Sequence, residues 1–118
     1  MNILVCGSRT FNDYNEMLNK LKSIVKPNDT IISGGAVGAD SYAVLFAKEF
    51  NINYTIIKPK WSLYGKSAGF KRNIEMLDML NTNDLVVAFI VNDSQGSMHT
   101  VKNAEQRGIK TIVYNYKK

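Results

Sequence analysis

The stretch Asp84-Leu85-Val86-Val87-Ala88-Phe89-Ile90-Val91 is apolar at every position after its aspartate. A strand with one wet face alternates polar and apolar residues, so an unbroken run like this one predicts a strand covered on both faces. It is far shorter than the roughly 20 residues that cross a bilayer as a helix. Strands buried on both faces belong to parallel sheets, and parallel neighbours need a helical crossover between them. The rest of the chain supplies both kinds of element. Residues 2–6, 30–33, 54–57 and 111–114 are further short β-rich runs. Helical spacing fills the gaps: Tyr14, Met17, Leu18, Leu21 and Val25 over 13–25; Ala43, Phe46, Ala47 and Phe50 over 39–50; Ile74, Met76, Leu77, Met79 and Leu80 over 68–80; and a last helix over 98–107. Asp13 with Glu16 predicts a capping box, Pro27 breaks the first helix, and Gly108 suits the C-terminal cap of the last. Residues 59–67 and 92–97 read as loops. The expected fold is α/β: a single Rossmann-like three-layer domain over 1–118, about five parallel strands with helices on both faces.

Length and composition narrow the setting. The 118 residues fit one hydrophobic core, and 45% hydrophobic with 21% charged residues is ordinary for a globular protein. Cys6 is the only cysteine, so no internal disulfide is expected and a reducing cytoplasm is the natural location. The N-terminus lacks the layout of a signal peptide. The formal charge of +5 favours an anionic partner, although Lys110, Lys117 and Lys118 crowd the tail, where they serve solvation. His99 is the only histidine, and with one distant cysteine it makes no metal-ligand pattern. No metal site is expected; a Mg²⁺ carried by a phosphate ligand would leave little trace.

In open parallel sheets, ligands bind beyond the carboxyl ends of the strands. Three segments leave strands at that edge. They are Gly7-Ser8-Arg9-Thr10, the loop Ser33-Gly34-Gly35-Ala36-Val37-Gly38-Ala39-Asp40, and Ser94-Gln95-Gly96-Ser97. In the middle one, Gly34, Gly35 and Gly38 suit close backbone approach to an anion at the start of a helix. The same glycines also suit a tight turn that binds nothing. The spacing is neither the dinucleotide fingerprint nor a P-loop. Asp40, in the first helical turn, reads either as a partner of the helix dipole or as a carboxylate facing a ribose hydroxyl. A second unusual segment, residues 59–73, places Trp61 among Lys60, Lys66, Lys71 and Arg72, with Asn73 following. An aromatic face can stack a base, and arginine suits bidentate phosphate binding. A lone tryptophan is also commonly a packing residue.

These three motifs, in this order, resemble the YspA-like branch of the SLOG superfamily: Gly7-Ser8-Arg9-Thr10-Phe11, then the loop from Ser33 to Asp40, then Lys60-Trp61 with Gly65-Lys66, Ala68-Gly69 and Arg72-Asn73. The resemblance spans nearly the whole chain. It implies a Rossmann-like fold and a nucleotide, NAD-derived or ADP-ribose-like ligand. Relatives include lonely-guy phosphoribohydrolases and the DNA-processing protein A family, and SLOG domains serve as sensors in bacterial and phage conflict systems. The residues implied for the ligand are Gly7, Ser8, Arg9, Thr10, Ser33, Gly34, Gly35, Ala36, Gly38, Asp40, Lys60, Trp61, Lys66, Arg72, Asn73, Gly96 and Ser97.

The phosphoribohydrolases carry an Arg-Lys-x-x-Met stretch, which Arg72-Asn73-Ile74-Glu75-Met76 resembles with Asn73 in place of lysine. Their Pro-Gly-Gly-x-Gly-Thr-x-Glu loop resembles Gln95-Gly96-Ser97-Met98-His99, but His99 falls where the glutamate stands. Cleavage of an N-glycosidic bond commonly uses carboxylates. Asp40 and Glu75 are the candidate catalytic residues, with Glu105 a further carboxylate. The expectation is therefore a sensor or sequestering protein for a nucleotide-derived molecule. The alternatives are a nucleotide hydrolase cleaving an N-glycosidic or phosphate bond, and a single-stranded nucleic-acid binder. Relatives often form homodimers or higher homo-oligomers, for which Met76, Met79 and Leu80 offer an apolar helix face or simply core.

Overall fold

The computed structural model describes residues 1–117. Five strands form one wholly parallel sheet, β1 (Asn2–Gly7), β2 (Thr30–Ser33), β3 (Asn53–Ile56), β4 (Leu85–Val91) and β5 (Lys110–Tyr116), in the order β3-β2-β1-β4-β5. The crossovers are α1 (Tyr14–Lys22), α2 (Ala39–Glu49), the four-residue α3 (Trp61–Tyr64) leading through a 3-10 turn into α4 (Ala68–Asp78), and α5 (Gln95–Gln106). The expected Rossmann-like three-layer arrangement is present.

Side-chain alternation along the two central strands divides the core. Ile3 and Val5 of β1, with Leu85, Val87 and Phe89 of β4, pack beneath Met17 and Leu21 of α1 and Ala43, Phe46 and Ala47 of α2. Leu4, Cys6, Val86, Ala88 and Ile90 face the other way, against Met76 and Leu77 of α4 and Val101 and Ala104 of α5. This is why β4 is buried at every position and why its sequence does not alternate. Met76 belongs to this core, whereas Met79 is exposed.

The chain departs from β1 through α1 towards β2 and returns from β3 through α4 to β4, on the opposite side of β1. The connections leaving the C-terminal ends of β1 and β4 therefore diverge and open a crevice between them.

Local chemistry explains where the elements differ from expectation. Asp13 caps α1 by accepting from the Glu16 amide at 3.1 Å, but Glu16 does not complete a capping box. Its carboxylate instead accepts from the Tyr116 hydroxyl of β5 at 2.8 Å. Helix α1 stops at Lys22, and the Ile24 and Val25 amides close a turn on the Leu21 carbonyl. Residues 61–67 are helical rather than loop, and α5 begins at Gln95 because Ser94 serves as its cap. Gly96 and Ser97 thus lie in the first turn of a helix, not in a free loop. Strand β5 extends to Tyr116 by staying in register with β4 through the pair Val91 and Tyr116. Gly108 takes φ +74° directly after α5, as a C-terminal glycine should.

Candidate functional site

A cavity of about 490 Å³ lies over the C-terminal ends of β1 and β4. Its floor is Cys6, Gly7 and Ser8, with Arg9 and Thr10 on the rim. Ala36 and Asp40 form one wall, Trp61 and Lys66 the lip, and Gly69, Phe70, Arg72, Asn73 and Met76 of α4 another wall. The start of α5 closes it with Ser94, Gly96, Ser97 and Thr100.

Arg72 is the best anchored cation here. Its Nη1 donates to the Gly34 carbonyl at 2.9 Å and reaches the Ile57 carbonyl at 3.5 Å, while Nε donates to Asn73 Oδ1 at 3.0 Å. Asn73 in turn donates from Nδ2 to the Gly96 carbonyl at 3.3 Å, so it ties the guanidinium of α4 to the first turn of α5. A Cβ on Gly34 would stand 2.7 Å from the Arg72 Cζ and 2.8 Å from Asp40 Oδ2. Glycine at that position makes room for the guanidinium and the carboxylate together.

Asp40 is 6% exposed. Burial pushes its carboxyl up to about 6 from the ordinary 3.8, against the opposing pull of Arg72, the Ala36 amide and Arg9. Desolvation wins because neither cation comes within ion-pairing distance and the Ala36 amide is a long 3.4 Å from Oδ2. Arg72 itself is pulled below its ordinary value, first by burial, with Asp40 opposing and Arg9 assisting. The Cys6 thiol on the floor is driven up by burial and then by Asp40, which leaves it a poor nucleophile at neutral pH.

The glycine loop serves packing more than lining. Gly38 has φ +84°, and a Cβ there would stand 2.5 Å from the carbonyl oxygens of Ser8 and Arg9. Gly35 has φ +73° and faces Ile56. The Ala39 amide at the start of α2 donates to the Ser8 carbonyl at 3.2 Å, so it is not free for an anion. Gly34, Gly35 and Gly38 do not line the cavity, and neither does Ser33, whose hydroxyl donates to the Asp40 carbonyl at 2.9 Å. Lys60 caps α3 away from the cavity, and Glu75 is on a side of α4 that does not line it.

Ser8 reaches the cavity, but its hydroxyl is occupied. It accepts from the Val91 amide at 2.8 Å and donates to the Val91 carbonyl at 3.3 Å, clamping the ends of β1 and β4 together. Ser8→Ala leaves both backbone groups buried and unmatched, and about 1 kcal/mol of stability should be lost in urea unfolding. An unchanged midpoint would show that the clamp contributes nothing.

Trp61 is 52% exposed, so it is not a core residue. Phe70, 47% exposed, lies with its ring centroid 4.5 Å from that of His99. His99 is therefore half-buried against an aromatic ring rather than on the cavity wall. Cys6, Gly69, Phe70, Met76, Val91, Ser94 and Thr100 line the cavity as well, beyond the residues that the resemblance implies. The spacing of Gly69, Arg72, Asn73 and Met76 on one helical face was a signal that would have found two of them.

The family model described as YspA, cpYpsA-related SLOG family matches residues 1–64. The chain is 30% identical over 123 residues to the gene 61 protein of Mycobacterium phage D29, covering 98% of this chain and 97% of that protein. It is similar in fold to a solved structure of DNA processing protein A (DprA) from Streptococcus pneumoniae, with a TM-score of 0.59 at 14% identity over 94% of this chain. The chain spans 58% of that protein's length.

Proposed function

The chain belongs to the YspA, cpYpsA-related SLOG family, and from that premise we propose that it binds a nucleotide or nucleotide-derived ligand in the cavity between β1 and β4, as a sensor or sequestering protein. Membership of the family supports a nucleotide-related role. The observation that carries the reading is the Arg72 guanidinium, fixed in the cavity wall by Gly34 and Asn73, with Arg9 and Lys66 also on the cavity lining. A guanidinium held in place through Nε and Nη1 keeps Nη2 and its charge for a phosphate, and loses little entropy when one binds. The cavity volume of about 490 Å³ lies in the range of small-molecule sites. Trp61 and Phe70 offer exposed rings beside it for a base or another flat group.

A second reading is hydrolysis of the same ligand. Asp40 favours it, because a carboxyl titrating at about 6 is suited to transfer protons near neutrality. Glu75, away from the cavity lining, is the weaker acid/base group.

Calorimetry against AMP, ADP-ribose, NAD and cyclic or linear dinucleotides, with mass analysis of each recovered ligand, tests both readings. A ligand returned intact supports a sensor, and a cleaved one an enzyme. Silence across the panel, alongside salt-sensitive binding of single-stranded DNA, would sink the pocket reading. For whichever member binds, Arg72→Lys should weaken affinity about tenfold, because an ammonium cannot keep the Asn73 and Gly34 bonds and still present a fixed donor to a phosphate.

A further inference from the structure

We propose that Asp40 makes this cavity selective for phosphate ligands bearing a free sugar hydroxyl, so that ribonucleotides are accepted and a deoxy counterpart is discriminated against. The inference rests on the phosphate-pocket reading above and adds what the rest of the ligand must offer.

The Asp40 carboxylate is buried and on the cavity wall, yet it is badly under-supplied with donors. It has room for several hydrogen bonds. It receives one, the long bond from the Ala36 amide at 3.4 Å. The nearby hydroxyls are committed elsewhere: Ser41 Oγ donates to the Ala36 carbonyl at 2.7 Å and Ser33 Oγ to the Asp40 main-chain carbonyl at 2.9 Å. No described cation is within ion-pairing distance. A buried acceptor left this bare is costly, and whatever fills the cavity gains by supplying the missing donors.

The charges around it restrict what that donor is. Arg72 and Arg9 both act electrostatically on Asp40. They oppose entry of a further cation, and among the described residues no third His, Cys, Asp or Glu joins Asp40 to hold a metal. A phosphate oxygen cannot serve either, since it carries no proton at neutral pH and repels a carboxylate. A neutral O–H donor remains, on a molecule whose anionic group is drawn to the guanidiniums. Arg72 and Asp40 both reach the space beside Gly34, so the two demands fall close together. A ribose phosphate has phosphate and hydroxyls on one small ring, and a site built around a hydroxyl rejects the analogue that lacks it.

The experiment compares AMP, 2′-deoxy-AMP and 3′-deoxy-AMP by calorimetry on the wild-type chain, Asp40→Asn and Asp40→Ala, with circular dichroism to confirm that both variants are folded. At least one deoxy form should bind wild type about tenfold more weakly than AMP. Asp40→Ala should level the three affinities, and Asp40→Asn, which keeps an acceptor oxygen but adds a donor, should retain at most part of the preference. Three equal affinities on wild type, or a preference that survives Asp40→Ala, would overturn the inference while leaving the phosphate pocket standing. Failure of all three nucleotides to bind wild type would overturn this inference, and the pocket reading falls with it only when ADP-ribose, NAD and the dinucleotides are silent as well.

Discussion

Gly7→Ala should destabilise the protein by about 3 kcal/mol or more and lower its melting temperature by about 10 °C or more. Gly7 ends β1 beside Phe89 of β4, and α2 begins directly above it. A Cβ on Gly7 would stand 2.6 Å from the Ala39 Cβ and within about 3 Å of the Phe89 main chain. Neither neighbour can yield cheaply. Phe89 is fully buried in the strand that β1 and β5 both pair with, and Ala39 is held by its amide on the Ser8 carbonyl. The strain therefore falls on the central strand pair, which an exposed glycine would never load. Thermal unfolding followed by circular dichroism measures it, and a shift of only a degree or two would mean that α2 slides away freely.

Asp40→Asn should do the opposite at neutral pH. The folded carboxyl titrates at about 6 against an ordinary 3.8, so the folded chain holds this proton more tightly than the unfolded chain does. The stability Asp40 contributes is then fully present below about 3.8 and is lost as pH rises through about 6. Above that, the buried charge costs up to about 3 kcal/mol, a cost that asparagine avoids while keeping an oxygen for the Ala36 amide. Chemical unfolding of wild type and variant between pH 4 and 8 should show the variant ahead at pH 7.5 and the gap closing towards pH 4. A wild type more stable than the variant at pH 7.5 would mean that Asp40 is better compensated than its surroundings indicate.

The fold was legible because burial on both faces removes alternation, and β4 carries that signature without interruption. Termini were less legible, since they depend on which donors the chain finds. Ser94 caps α5 with its own hydroxyl and so draws Gly96 and Ser97 into the helix, a choice that the glycine-serine composition obscured. The short helix over residues 61–64 buries none of its side chains, so no periodic apolar stripe announces it. Within the site, Arg72, Asp40 and Asn73 were visible as charged or polar residues near strand ends. Glycine was harder to read, because the sequence records only that a side chain is missing. Gly34, Gly35 and Gly38 are explained by the guanidinium, by Ile56 and by the Ser8–Arg9 carbonyls that approach them. Phe70 lacked any polar signal at all.

The strand order has a consequence for how the molecule comes into being on the ribosome. During synthesis, β1, β2 and β3 emerge first and can associate, but the other flank of β1 must wait for β4, which pairs Ile3 with Leu85. Closing that pairing spans most of the chain, and so distant a contact forms slowly. Until then Leu4, Cys6 and Ile32 have no α5 and no neighbouring Val86, Ala88 and Ile90 to cover them, and the nascent half-sheet presents both a sticky surface and an open edge. The ligand cavity, which needs Arg72 and the start of α5, is assembled only after β4 has emerged. Translation that pauses between β3 and β4 would therefore yield a species prone to aggregate and unable to bind, and a ligand added during synthesis would act only on chains that have passed that point.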